Sequence, residues 1–272
     1  MTAGTADLDH VAVAAETWDE LWPRYASDLG GRWNAGGEGP GFASAQIRFA
    51  NGMKVEALAP FAVHVNDFLR RFLDGRGPGP HHLTFKVPDI VRALDDAAAA
   101  GYRPVGVDLR DEMWKEAFLH PKDAPGVVVQ LAQSQGDWES PAPDGFPAPR
   151  GGVATLDHIA HAVADLDDGL ALFEALLGGE ECDRGEDDAL ESSWVELRWP
   201  GPGRVRLLTP TGPASRLCDW IADGRGRVHH LAFTTTTPDE IADAKPEADG
   251  RWEIDPAANL GTRLLIRDTV AD

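Results

Sequence analysis

Apolar and polar residues along this chain alternate at two periods, and the order in which the periods change predicts its elements. Leu8 to Ala14 alternates as a strand does, Trp18 to Asp28 has helical spacing, and Gly30-Gly31 ends that helix. Two strand-like runs follow, Phe42 to Phe49 and Met53 to Leu58, around a tight Asn51-Gly52 turn. After a short amphipathic helix around Asn66 to Leu73 the order begins again. It runs as a strand at His82 to Val87, a helix at Asp89 to Ala100, and strands near Arg103 to Val107, Glu116 to His120 and Val127 to Ala132. The first half therefore reads as two βαβββ modules.

The same plan recurs downstream. Leu156 to Val163 reads as a strand, Leu166 to Leu177 as a helix, and Ser192 to Arg198, Arg204 to Leu208 and Val228 to Thr234 as strands, ending in a compressed last module around Arg263 to Ile266. Local sequence repeats with it: Leu8-Asp9-His10-Val11-Ala12 returns as Leu156-Asp157-His158-Ile159-Ala160, and His81-His82-Leu83 returns as His229-His230-Leu231, both at an offset of 148. Such an offset marks a duplicated domain. Between the copies, Ser134 to Gly152 is rich in Pro, Gly and Ser and has no apolar period, as a linker would. The expected division is a first domain at 1–135, a linker at 136–152 and a second domain at 153–272. The expected fold class is α+β: two tandem domains, each of paired βαβββ modules forming a curved, mostly antiparallel sheet.

Composition narrows the partners. The 272 residues carry 45 acidic against 25 basic side chains, a formal charge of -20, so nucleic acid and anionic membrane surfaces are not expected partners. There is no charged-then-apolar leader and no run of 18 apolar residues, and the two cysteines, Cys182 and Cys218, read as free small hydrophobes. A cytoplasmic location is expected on these grounds.

Candidate chemistry comes from spacing. His10 and His82 lie 72 residues apart and Glu56 and Gln130 lie 74 apart, so matched positions of two modules are paired. If each module places its first and last strands at the centre of a curved sheet, His10, Glu56, His82 and Gln130 converge. Two imidazoles and two side-chain oxygens suit a divalent first-row metal with positions open to water or substrate. Taken singly, each residue has a plainer reading, as a satisfied core histidine or a solvated strand acid. Four at matched repeat positions favour the site. His64, His81 and His161 lack a matched partner and read as ordinary histidines.

These motifs, LDHVAVA, HHLTFKV and especially AFLHPKDAPGVVVQL, resemble the vicinal oxygen chelate superfamily, which includes glyoxalase I, extradiol dioxygenases and methylmalonyl-CoA epimerases. The epimerase pattern is the nearest, over about Leu8 to Gln133, with His120-Pro121-Lys122 as its turn. The resemblance implies ligands at His10, Glu56, His82 and Gln130, with glutamate and glutamine exchanged relative to the epimerases. That exchange keeps the net ligand charge and moves the carboxylate to the other side of the metal. No residue matches the epimerases' separate glutamate base; Glu38 and Glu116 are the acids nearby, and the catalytic candidates are Glu56 and Glu116. In the second half His158 and His230 persist, but Arg206 stands at the Glu56 position and Leu265 at the Gln130 position. A cation and an aliphatic side chain oppose a metal there, so that half is expected to be a degenerate, structural domain and the chain a monomeric pseudo-dimer or a homodimer.

The activity implied is that of an isomerase or lyase dependent on a divalent metal (Co, Mn, Ni, Zn, Mg or Fe). It would act on a small carbonyl substrate through an enolate-like intermediate. The alternatives are a ring-cleaving extradiol-type dioxygenase, for which His10, His82 and Glu56 supply two histidines and a carboxylate, a glyoxalase I-like enzyme, and a non-catalytic small-molecule binding or resistance protein.

Overall fold

The computed structural model describes residues 6–136, 138–222 and 224–269. Two eight-stranded mixed sheets form, one from each half of the sequence. The first contains β1 (Asp7–Ala14), β2 (Arg32–Gly39), β3 (Gly41–Arg48), β4 (Lys54–Phe61), β5 (Gly79–Lys86), β6 (Pro104–Asp108), β7 (Trp114–Leu119) and β8 (Val128–Ser134), in the order β2-β3-β4-β1-β5-β8-β7-β6. The second contains β9 (Thr155–Val163), β10 (Glu180–Asp187), β11 (Ser192–Arg198), β12 (Arg204–Pro210), β13 (Gly226–Thr235), β14 (Lys245–Pro246), β15 (Trp252–Ile254) and β16 (Leu264–Asp268), in the corresponding order β10-β11-β12-β9-β13-β16-β15-β14. The first and last strands of each module therefore lie at the centre, as the spacing predicts. Those central pairs, β1 with β4 and β5 with β8, are parallel, and the hairpins outside them are antiparallel.

Helices α1 (Phe68–Arg76), α2 (Ile90–Ala99), α3 (Leu166–Leu170) and α4 (Arg216–Ile221) join the strands. Asp89 caps α2 by accepting the Arg92 amide, and Ser215 caps α4 by accepting the Leu217 amide. The stretch expected as one helix at Trp18–Asp28 is instead a 3₁₀ turn, Trp18–Leu21, running into a π-helix, Trp22–Asp28. Its counterpart is α3 followed by the π-helix Ala171–Leu176. The wide turns close alike, Leu29 N–H on the Arg24 carbonyl and Leu177 N–H on the Leu172 carbonyl, so this irregularity was duplicated with the domain. No helix among the described residues is long and apolar enough to cross a membrane.

Four strands escape the pattern reading: the short β14 and β15, and the longer β2 and β10. Of these, β2 and β10 are matching edges. Each is the outermost strand on its side of the sheet, one rich in glycine and the other almost wholly exposed and charged, and an edge without a core face leaves no alternation to read. The last module is compressed as expected, with β14 only 2 residues long and β15 only 3.

Compact packing does not follow the two halves of the sequence. One unit gathers 1–9, 82–137 and 158–229, and the other gathers 10–81, 138–157 and 230–272, so each takes one module from each half. In the first, Phe85 packs on Phe173 and Trp199 with ring centroids 6.1 and 5.1 Å apart. In the second, Phe233, the repeat counterpart of Phe85, packs on Tyr25 and Phe49 at 6.5 and 5.0 Å. Phe85 and Phe233 thus each pack on a π-helix from the other half of the chain, while α1 and α4 cover strands of their own half. The linker is no free tether: in the second unit Phe146 packs edge-on against Trp22 and Trp33, and Arg150 pairs with Asp28.

Within the first unit the turn before β8 presses against the start of β13. Gly126 has φ +74°, and a Cβ there would overlap the Gly226 backbone, including its carbonyl oxygen. Beside it, the buried His161 meets the Pro125 carbonyl through Nε2 at 2.7 Å and packs on Phe173. Gly126→Ala combines steric overlap with backbone strain and should cost more than about 3 kcal/mol, whereas Gly52→Ala, at φ +92° in open space, should cost about 1 kcal/mol, as urea unfolding would show.

Burial drives the His161 pKa down to about 4 from 6.5, the Pro125 carbonyl opposing. Because the folded-state value is the lower one, the unfolded chain takes the proton first, and stability falls as pH drops from 6.5 towards 4. His161→Gln, which keeps a donor for Pro125 but cannot titrate, should spare about 2–3 kcal/mol of the acid-induced loss at pH 4.5. Equal losses in both proteins would contradict this.

Candidate metal centre

Parallel register decides which side chains share a face. Ala12 of β1 lies opposite Glu56 of β4, so alternation puts His10, Ala12 and Ala14 on one face with Glu56 and Leu58. Antiparallel pairing of β3 with β4 adds Gln46, directly opposite Glu56. Ala12, Ala14 and Leu58 pack under Leu69 and Leu73 of α1, which closes the apolar end of this face and leaves the polar end to His10, Glu56 and the buried Lys54 opposite His10. On β5 and β8, Thr84 lies opposite Gln130, so His82, Thr84 and Gln130 share a face in turn.

His10, Glu56 and His82 are all buried, and each offers a ligand atom within 4.8 Å of the others. Nε2 of His10 is 3.4 Å from a Glu56 oxygen. The other Glu56 oxygen accepts from Gln46 Nε2 at 3.3 Å; Asn34 Nδ2 in turn donates to Gln46 Oε1 at 3.2 Å and to the Trp138 carbonyl at 2.9 Å. This relay fixes the carboxylate from behind, as outer-layer groups do for metal-binding carboxylates. Two imidazoles and one carboxylate are a donor set that borderline divalent metals accept, so the residues present fit such an ion.

Gln130 is buried on the neighbouring strand, and its amide is engaged by protein. Its Oε1 accepts from the Thr84 hydroxyl at 2.6 Å, and its Nε2 donates to Glu116 at 2.7 Å. The same Glu116 oxygen accepts from Trp114 Nε1 at 2.8 Å. An amide oxygen has a second lone pair, so the Thr84 bond is compatible with Gln130 as a further ligand. Of the four residues expected to converge, three come together as a group that could hold an ion, and the fourth is bound into a chain leading to Glu116. His81 packs on the rings of Phe68 and Phe72, and burial lowers its pKa to about 4 against the opposing pull of Glu56, so it is a neutral ring in an apolar setting.

Sequence reasoning missed Asn34, Gln46 and Thr84. Gln46 was one residue out of reach, because a two-residue Asn51-Gly52 turn would set Ile47 opposite Glu56, whereas the hairpin closes with the Phe49 amide on the Met53 carbonyl and sets Gln46 there. Asn34 had no such signal, since β2 itself shows no alternation.

In the second sheet the repeat positions are confirmed by register: Ala160 lies opposite Arg206 as Ala12 does opposite Glu56, and Ala232 opposite Leu265 as Thr84 does opposite Gln130. The second sheet therefore offers a guanidinium and an aliphatic group where the first offers a carboxylate and an amide.

Known proteins resemble this chain in sequence and in fold. Residues 9–118 match the Glyoxalase/Bleomycin resistance protein/Dioxygenase superfamily. An ethylmalonyl-CoA/methylmalonyl-CoA epimerase of Cereibacter sphaeroides is 32% identical over 133 residues, which is 46% of this chain and 96% of that relative. The crystal structure of methylmalonyl-CoA epimerase from Mycobacterium tuberculosis is 26% identical, covers 50% of this chain and 93% of its own, and superposes with a TM-score of 0.45. A mutant of 4-hydroxymandelate synthase from Streptomyces coelicolor superposes over 97% of this chain and 93% of its own with a TM-score of 0.65 at 14% identity, a likeness of fold spanning both halves.

Removing the Gln46 amide, as in Gln46→Leu, should loosen Glu56 and weaken Co²⁺ binding about tenfold by calorimetric titration, while the metal-free protein melts within a few degrees of wild type. Unchanged affinity would mean that Glu56 needs no such support.

Proposed function

Since this chain belongs to the glyoxalase/bleomycin resistance protein/dioxygenase superfamily, we propose that it is a metal-dependent isomerase acting on a small carbonyl compound through an enolate-like intermediate. The observation that carries this reading is the meeting of His10, Glu56 and His82 at one point on the first sheet. These three residues, with Gln130 as the fourth, are the proposed ligands of a divalent ion drawn from Co, Mn, Ni, Zn, Mg and Fe. When bound, such an ion supplies a Lewis acid that lowers the energy of negative charge on a substrate carbonyl oxygen. The proposed division is a metal-binding domain at 1–135, a linker at 136–152 and a degenerate domain at 153–272.

The chain's own residues do the rest. Glu56, held by Gln46, fixes the charge of the ligand set. Glu116 is the proposed proton carrier: one carboxylate oxygen is occupied by Gln130 and Trp114, which orient the group, and it takes the proton from the carbon beside the carbonyl. Gln130 then links the ligand set to the base. The similarity to an ethylmalonyl-CoA/methylmalonyl-CoA epimerase makes a 2-alkylmalonyl thioester the first substrate to test.

Metal content separates the ligands from the base. Glu56→Ala and His82→Ala should each lose bound metal by elemental analysis, and unchanged stoichiometry in either would refute the site. Glu116→Gln should keep its metal and lose about 10²- to 10⁴-fold in kcat for exchange of the substrate α-proton, followed by deuterium uptake.

A second reading rests on the same three groups, because two histidines and one carboxylate also hold Fe(II) in oxygenases. Oxygen consumption with catechols in Fe(II)-loaded protein, without α-proton exchange, would favour it over the isomerase.

A further inference from the structure

The second sheet repeats the ligand position of the first with its charge reversed. Glu196 lies opposite Arg206 in the register that places Gln46 opposite Glu56. Glu196 is only 4% exposed, yet it is an acid beside two guanidinium groups. Arg206 donates Nε and Nη2 to one of its oxygens at 3.0 and 2.6 Å, and Arg204 reaches the other at 3.2 Å. His158 Nδ1 stands 3.9 Å from the carboxylate. Glu196 thus accepts from both Arg206 and Arg204. The Arg206 guanidinium lies 4.1 Å over the Trp194 ring, which fixes its plane, and Nη1 makes no hydrogen bond to the described protein.

We infer that this polar end of the second sheet is an anion site that takes the carboxylate of a small organic acid, with Arg206 as its principal donor. A guanidinium held flat by an indole and anchored on one edge by a buried acid is pre-organised to offer its remaining edge to a planar carboxylate. Arg204, about half exposed at 47% of its side chain, lies on the same acid. Alternation places Arg206 on one face with Leu208, and Leu190, Trp194 and Trp220 pack on Leu208 and its neighbours, so an apolar surface adjoins the charge. A small acid with a hydrocarbon body matches that pairing better than a hydrated inorganic ion. The assignment stands on the second sheet alone and does not depend on the activity proposed for the first.

Titration calorimetry of the whole, chelator-treated chain with benzoate tests it, with neutral benzamide as control. Wild type should bind benzoate saturably and benzamide at least tenfold more weakly, and Arg206→Gln should lose at least tenfold in benzoate affinity. Glu196→Gln should bind benzoate several-fold more tightly, because the internal acid that competes for Arg206 has lost its charge. A gain in affinity cannot come from misfolding, so this variant decides the matter if Arg206→Gln proves unstable. Equal affinities for benzoate and benzamide, a benzoate affinity unaffected by Arg206→Gln, or weaker binding by Glu196→Gln would each overturn the assignment.

Discussion

Parallel pairing of the first and last strands of each module is the constraint on which everything else in this protein depends. Side chains alternate along a strand, and a shift of one residue between β1 and β4 would send Glu56 to the far face and leave His10 among aliphatic neighbours. The alternation is held by burial: Ala12, Ala14 and Leu58 must stay under α1. The same apolar contacts that stabilise the face therefore bring the carboxylate to the imidazoles. Position and stability are set by one register.

Duplication extends that constraint to the whole chain. Phe85 and Phe233 hold equivalent places, and each rests on an aromatic residue, Phe173 or Tyr25, from the opposite half. Neither half buries its sheet by itself, so a second copy has a structural reason to persist even where its chemistry has changed. Where the first sheet has Glu56 steadied by neutral Gln46, the second has Arg206 steadied by charged Glu196. An arginine partly withdrawn from water gains from an acid partner, and the nearest cross-strand position supplies it.

The main outlines were legible in the sequence because they rest on periodicity and repetition. The central strands, α2, the Asn51-Gly52 hairpin and the module order follow from alternation and turn residues, and the family resemblance follows from the motifs around His10, His82 and His120. What was not legible follows from the same physics. The edge strands β2 and β10 bury too little to alternate, and the π-helical turns at Trp22–Asp28 and Ala171–Leu176 carry helical spacing that does not reveal which carbonyl each amide will choose. Exchange of helices and sheets between halves is invisible for another reason: equivalent modules carry equivalent apolar faces, so sequence cannot say which copy covers which.

The local logic of the candidate centre was partly hidden as well, and Gln130 shows why. Spacing puts it at the position equivalent to Glu56, and the structure gives it the matching face, but a glutamine has both an acceptor and a donor to satisfy where a glutamate has acceptors alone. Thr84 and Glu116 meet those two needs from either side. Having glutamate in one module and glutamine in the other is therefore more than a difference of charge. With an amide on β8, an acid on β7 becomes the natural partner of its N–H, and the carboxylate absent from the ligand position reappears one strand further out, joined to the centre by a single hydrogen bond.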